Sequence, residues 1–360
     1  MFPPRVEPRH AVGPSPRSTS PLVSVVMTTY RDEPGRLRRA IDSILAQTLT
    51  DLECIVVFEP NDDNYGVLAR TVTDPRVVLV QGTQGRGKPA CFNAGLEVAR
   101  GRYIARQDHD DWALPTRIAQ QVAFLDANPH HALVGTRAEI WVGDSPTGRF
   151  LDHPTENEEL RFALLSNNYM VHSSVMMRKA ALDEVGGYTT DPSRQPPEDY
   201  ELWSRIARRF RIANLPERLT IYRELPTSMS RASADPFKDK VILISAENLA
   251  MATDGVPKPQ RIHLDIASLT HNAPEKMSQT ADIEAMCAVI SKAGAAIFGN
   301  RKLRTDNDPV AVWRRNLRYQ FTVHKLGLRR VRKIGSRIRA APLRIIALML
   351  RKVAFLIARH

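Results

Sequence analysis

The chain has 360 residues, 43% hydrophobic and 25% charged, enough to bury a full α/β core with material left for an accessory region; this balance favours neither wholesale disorder nor a polytopic membrane protein. Its three cysteines, Cys54, Cys91 and Cys287, lie far apart and argue against a disulfide framework or a thiolate zinc site, so a reducing compartment is expected. The net charge of +12 is concentrated at one end: from Trp313 onward there are 14 Lys or Arg and no Asp or Glu, leaving residues 1–312 at −2, which excludes a basic nucleic-acid-binding body.

Residues 1–20, with five prolines and no apolar run, are expected to form a disordered leader rather than a signal peptide. Leu22–Thr29 is a short β-branched apolar run, the pattern of a strand buried on both faces of a parallel sheet. Leu37, Ala40, Ile41, Ile44 and Leu45 then fall on one helical stripe ending near Gln47. A second strand runs over 53–58 and breaks at Pro60-Asn61-Asp62-Asp63. The alternation continues with a helix around 67–72, a strand 77–80, a glycine-punctuated loop 82–87, a helix 90–99 and a strand 103–105. Strands separated by such helices imply a doubly wound, mostly parallel sheet with right-handed crossovers, whose ligands bind beyond the carboxyl ends of the strands. Thr28-Thr29-Tyr30, Phe58-Glu59, Gln81-Gly82 and Gln107-Asp108 are therefore expected to converge on one crevice.

Further on, the pattern predicts a helix over 115–128, a strand over 132–142, a buried strand over 173–177, a short helix over 179–185 closed by Gly186-Gly187, and a helix over 200–209 preceded by Glu198-Asp199. Residues 231–309 read as a helical extension and 310–360 as basic amphipathic helices. Three cations interrupt the apolar run 343–357, which argues against a bilayer span and for an interfacial helix on an anionic surface, or for a helix packed on protein.

Asp108-His109-Asp110-Asp111 stands directly after a predicted buried strand. Three carboxylates within four residues repel one another unless a cation or a basic group neutralises them. A solvated turn capping the next helix would use the same residues. Asp199, at the head of its helix, suits a general base but equally suits a helix cap. His172 and the pair Arg86 and Lys88 are candidates for acceptor or phosphate contacts, or for a structural histidine and a solvated basic loop.

Taken in order, Val23–Tyr30, Ala40–Thr48, Asn93-Ala94-Gly95, Gly101–Asp111, His172–Met176, Gly186-Gly187-Tyr188, Glu198-Asp199 and Tyr222-Arg223 resemble the family 2 inverting glycosyltransferases of the GT-A fold over about residues 21–230. The resemblance implies a nucleotide-sugar-binding α/β catalytic domain with the helical C-terminal extension appended. It implies a nucleotide diphosphate-sugar donor held by Thr28, Tyr30, Glu59, Asp108, Asp110 and Asp111, and a divalent cation, Mn²⁺ or Mg²⁺, on Asp110 and Asp111. Asp199 would be the base, with Glu198 supporting and His172 and Lys88 near acceptor or phosphate. A glycan or lipid-linked glycan acceptor, in cell-surface polysaccharide or glycolipid synthesis, suits a cytoplasmic enzyme lying peripherally on the inner face of the membrane through its basic tail. The sequence departs from the family pattern at Phe58-Glu59-Pro60-Asn61, where two aspartates followed by Gly-Ser are usual, and at Leu225, near the place of a histidine in many relatives. A sugar nucleotidyltransferase would share the acidic ligands but would open with a Gly-rich basic loop where this chain has Tyr30–Gly35. A non-enzymatic membrane- or nucleic-acid-binding protein would rest on the tail alone.

Overall fold

The computed structural model describes residues 20–30, 32–60, 62–82, 87–225, 237–299 and 308–325. The leader, Arg86 and the apolar run of the tail lie outside the described residues. Strands β1 (Val23–Thr29), β2 (Leu52–Phe58), β3 (Val77–Gln81) and β4 (Tyr103–Asp108) alternate with helices α1 (Pro34–Leu45), α2 (Asn64–Thr71) and α3 (Gly87–Val98). They form a parallel sheet in the order β3-β2-β1-β4. Every residue of β1 and β2 is buried, which is why both strands read as continuous apolar runs without alternation. Helix α1 begins with proline in its first turn and buries Leu37, Ala40, Ile41 and Ile44, the stripe its spacing predicts.

The second half of the chain adds β5 (Trp112–Ala113), α4 (Arg117–Ala127), β6 (His131–Val142), β7 (Ser145–Leu151), α5 (Asn157–Ala163), β8 (Met176–Arg178), α6 (Lys179–Val185), α7 (Glu198–Arg209) and β9 (Arg211–Glu224). The sheet continues from β4 through β8, β6 and β9 to β5, with β7 hairpinned onto β6. Its longest ladder here, β6 with β9, is again parallel, whereas β8 runs antiparallel to both of its neighbours. The strand predicted over 173–177 is shorter: residues 172–174 form a 3-10 turn and pairing starts at Met176. That turn puts Ser173 beside the end of β4 instead of inside the sheet.

Two apolar layers cover the sheet. One packs α1 and α4 against β1 and β2; the other packs α3, α6 and α7 and contains Trp203 and Phe92. A third core joins α8 (Lys238–Asp254), α9 (Arg261–Thr270), α10 (Ile283–Phe298) and α11 (Pro309–Lys325), and takes in Phe162 and Leu165 from the end of α5. Helix α11 buries Trp313 and Leu317 there, and Trp313 Nε1 donates to Thr270 Oγ1 at 3.2 Å. The first turns of the basic C-terminal segment are thus packed on protein. Among the described residues no helix is long and apolar enough to cross a membrane.

Polar contacts fix the layers relative to each other. The buried Glu53 carboxylate accepts from Ser24 Oγ at 2.7 Å and from Arg100 Nη2 at 2.6 Å, and Ser24 Oγ in turn accepts the Gly101 N–H at 2.8 Å. The chain passes so close to β1 that a β-carbon on Gly101 would lie 2.4 Å from Ser24 N and 2.7 Å from Val23 C. Backbone atoms cannot yield as a flexible side chain does, so Gly101→Ala is expected to cost about 2–3 kcal/mol. A drop of the thermal unfolding midpoint by several degrees checks this; an unchanged midpoint would show that the β1–β4 edge can relax.

Candidate active site

In-register pairing aligns the carboxyl ends of the strands: Thr28 lies opposite both Val57 and Asp108, and Thr29 opposite Phe58. Beyond these ends opens a cleft of about 970 Å³. Thr28, Tyr30, Glu59, Lys88, Asp108, Asp110, Asp111, His172, Glu198 and Asp199 all line it. Residues from six separate stretches of chain therefore meet in one place, as the strand-end argument requires for β1, β2 and β4, whereas Gln81-Gly82 at the end of β3 are not among the residues that line it.

The three aspartates of the acidic segment have different surroundings. Asp108 accepts from Arg106 Nη2 at 2.6 Å, from Lys88 Nζ at 3.2 Å and from Ser173 Oγ at 2.7 Å. Burial opposes its charge, but Arg106 and Lys88 outweigh burial and hold its pKa well below the usual carboxylate range. In return Asp108 raises the Lys88 pKa against the pull of burial. Asp111 is fully buried, accepts the Arg223 backbone N–H at 2.7 Å and touches Ser173 Oγ. Burial first, and then repulsion by Asp110 and Asp108, push its pKa well above the usual range. A serine hydroxyl has one proton to give, so Ser173 donates to the charged Asp108 and accepts the proton that Asp111 carries.

Asp110 differs from both. Its carboxylate meets its own backbone N–H and no other hydrogen-bond donor among the described residues. Burial, only partly offset by His109, raises its pKa, and Asp108 raises it further. A half-buried carboxylate in this condition favours a cation at its open oxygens. Three preassembled metal ligands are absent among the described residues, so Asp110 suits a hard oxygen-seeking cation whose remaining ligands come from water and a bound phosphate.

A cationic floor lies under the acidic segment. Arg106 is almost completely buried in β4, with its guanidinium 3.7 Å from the centroid of the Phe92 ring. Arg117, also fully buried, donates to the Arg106 and Ser173 carbonyls. Burial, with Arg106 nearby and only partly offset by Asp111, pulls its pKa down to about 9. These residues went unassigned in the sequence reading; the available signal was an arginine inside an otherwise apolar strand, Ile104-Ala105-Arg106, where an unpaired charge would be prohibitive.

At the end of the cleft near Tyr30, His109 Nε2 contacts Asp32 Oδ1 at 2.9 Å and Nδ1 lies 3.3 Å from the Thr28 carbonyl. Both partners are acceptors, so the ring is best served as an imidazolium; Asp32 raises its pKa against burial. Asp32 also accepts from Thr29 Oγ1 at 2.9 Å and from the Tyr30 N–H at 3.2 Å. This fixes the loop that presents Tyr30, whose side chain is 48% exposed at the cleft mouth. Glu59 stands half-buried beside it, and its pKa is raised by burial, with Lys88 opposing and Asp62 and Asp32 adding to the rise.

Across the cleft, Asp199 sits in the first turn of α7. Burial, then the adjacent Glu198, push its pKa up to about 7 against the hydrogen bond from the Tyr200 N–H. A carboxylate tuned to neutral pH is matched to removing a hydroxyl proton. His172 lies between Phe92, Tyr188 and Trp203, with Nε2 3.0 Å from the Tyr188 hydroxyl. Burial and Arg106 depress its pKa well below normal, so it is a neutral ring. Leu225 lines the cleft as well.

Comparison with known proteins adds three findings. Residues 24–186 match the family model described as Glycosyl transferase family 2. The putative glycosyltransferase EpsE of Bacillus subtilis is 32% identical over 232 residues, 63% of this chain and 82% of that protein, and the amylovoran biosynthesis glycosyltransferase AmsE of Erwinia amylovora is 29% identical over 54% of this chain and 74% of its own. Among solved structures, S. aureus TarS residues 1–349, crystallised with UDP-GlcNAc, shares the fold with a TM-score of 0.55 at 17% identity, over 85% of this chain and 92% of that one.

Proposed function

Because this chain belongs to glycosyl transferase family 2, we propose that it transfers a sugar, with inversion, from a nucleotide diphosphate-sugar to a hydroxyl of a glycan or lipid-linked glycan. The observation that carries the reading is one cleft lined both by Asp110, a half-buried carboxylate with no hydrogen-bond donor beyond its own backbone N–H among the described residues, and by Asp199 in the first turn of α7. The nucleotide lies at Thr28, Tyr30 and Glu59, where an aromatic face and a carboxylate suit a base and its N–H groups. The diphosphate lies toward Lys88 and Asp110. A divalent cation held there, Mn²⁺ or Mg²⁺, would supply charge stabilisation to the departing diphosphate. Asp199 removes the acceptor hydroxyl proton as that oxygen bonds to the anomeric carbon and the bond from that carbon to the diphosphate oxygen breaks; Lys88 is placed to meet the charge released.

The test is a binding screen over UDP-, GDP- and dTDP-sugars with and without Mn²⁺, led by UDP-GlcNAc because TarS was solved with it. Micromolar binding that EDTA abolishes is expected. Failure of every nucleotide sugar to bind in a metal-dependent way would overturn the reading.

Residues 21–230 would form the catalytic unit, with the helices after it as an extension. The relatives' part in polysaccharide synthesis suits an acceptor at the inner face of the cell membrane. Residues 326–360 hold ten Lys or Arg and no Asp or Glu, a composition suited to anionic headgroups. Since α11 is packed through Trp313 and Leu317, the informative deletion begins after Lys325. Its loss should release the protein from vesicles containing phosphatidylglycerol in a flotation assay while leaving the thermal midpoint unchanged. Undiminished flotation would remove the membrane role.

A further inference from the structure

The Asp199 carboxylate is gripped at both oxygens: Oδ1 accepts the Tyr200 backbone N–H at 2.7 Å and Oδ2 accepts the Asn168 side-chain amide at 2.8 Å. The Asn168 amide cannot reverse without loss, because its Oδ1 accepts the Met170 N–H at 3.1 Å, and its own backbone N–H donates to Asn167 Oδ1 at 2.8 Å. The surrounding stretch is pinned from three elements. Tyr200 Oη of α7 donates to the Leu164 carbonyl at 2.6 Å, Ser245 Oγ of α8 donates to the Leu165 carbonyl at 2.6 Å, and Asn214 Nδ2 of β9 donates to the Tyr169 carbonyl at 3.2 Å.

We propose that Asn168 is a positioning residue of the transfer reaction, holding Asp199 ionised and in one rotamer so that a free lone pair of its carboxylate meets the acceptor hydroxyl. This rests on the assignment of Asp199 as the base. A carboxylate has about four lone-pair sites, and the two amide donors occupy one on each oxygen, leaving the others for the incoming proton. Among the described residues, the charged and titratable groups facing Asp199 are Glu198 on α7, Lys88 on α3, Asp108 at the end of β4 and Tyr188 in the loop before α7. Glu198 and Asp108 disfavour its charge and Lys88 favours it. A neutral donor at Oδ2 adds stabilisation of the ionised form without introducing a competing ion pair. Because the segment bearing Asn168 is anchored by α7, α8 and β9, the geometry is set before any substrate arrives.

The test compares wild type, Asn168→Ala, Asn168→Asp and Asp199→Asn in Mn²⁺-dependent hydrolysis of UDP-GlcNAc, or of whichever nucleotide sugar the binding screen selects, with water as acceptor. Donor affinity is measured in parallel by calorimetry. Asn168→Ala is expected to lower kcat about tenfold even at high pH and to raise the acid limb of the pH profile by about one unit, with donor affinity within twofold of wild type. Asn168→Asp, which removes the donor and sets a second carboxylate against Asp199, should raise that limb further. It is nearly isosteric and carries the test alone if the alanine variant fails to fold. An acid limb and a plateau rate unchanged in both variants, with Asp199→Asn inactive, would overturn the positioning role and leave the base standing. An active Asp199→Asn would overturn the base assignment itself, and the positioning role with it.

Discussion

Asp199→Asn should lower transfer by about 10³-fold or more while donor affinity stays within a few-fold of wild type. The split follows from geometry: the side of the cleft proposed for the nucleotide and diphosphate is built from the ends of β1, β2 and β4 and from α3, whereas Asp199 lines the cleft from the first turn of α7. The pH profile carries the same argument. A general base acts ionised, and the pKa of Asp199, the proposed base, is pushed up to about 7 by burial and then by Glu198. The rate therefore rises with pH below about 7 and levels off above it. An unshifted Asp would place the limb about three units lower, near 4. Glu198→Gln removes a neighbouring negative charge that disfavours the ionised Asp199, so it should move the limb down. Loss of donor binding in Asp199→Asn would reassign the residue to the donor side, and retained transfer would exclude it as the base.

Much of this site was legible before any coordinates, for a definite reason. Buried parallel strands demand continuous apolar runs, so β1 and β2 announce themselves, and the residues after their last apolar position must lie at the carboxyl edge. Thr28, Tyr30, Glu59 and Asp108 are found by that rule. What escaped is what depends on non-local partners. The long β9 was missed because its middle, Pro216-Glu217-Arg218, breaks the alternation, and those exposed residues fall at register shifts of its ladder with β6. Ser173 reads as part of a strand, yet its position in a tight turn is what lets one hydroxyl serve Asp108 and Asp111 together. Asn168 has no motif at all; its role exists only because α7, α8 and β9 fix a loop against Asp199.

Asp110→Asn is expected to remove metal-dependent donor binding and to lower transfer by about 10²–10³-fold, whereas Asp111→Asn should cost less than about tenfold. The two aspartates are adjacent, and family resemblance assigns both to the metal, so the contrast is a demanding one. Its basis is protonation. Asp111 is buried, its pKa lies well above normal, and its oxygens are engaged by the Arg223 N–H and by Ser173. An asparagine there reproduces the neutral acid: its carbonyl oxygen accepts the Arg223 N–H and its amide donates to Ser173, which continues to donate to Asp108. At position 110 the same substitution removes the charge from a carboxylate that has no donor beyond its own backbone N–H among the described residues, and a neutral amide is a much poorer ligand for a hard cation. Donor titrations with and without Mn²⁺ separate the outcomes. In wild type and Asp111→Asn, EDTA should weaken binding strongly; in Asp110→Asn, the titrations with and without metal should superimpose. If Asp111→Asn loses metal dependence as completely as Asp110→Asn, both carboxylates hold the cation and the protonated state assigned to Asp111 gives way when metal binds.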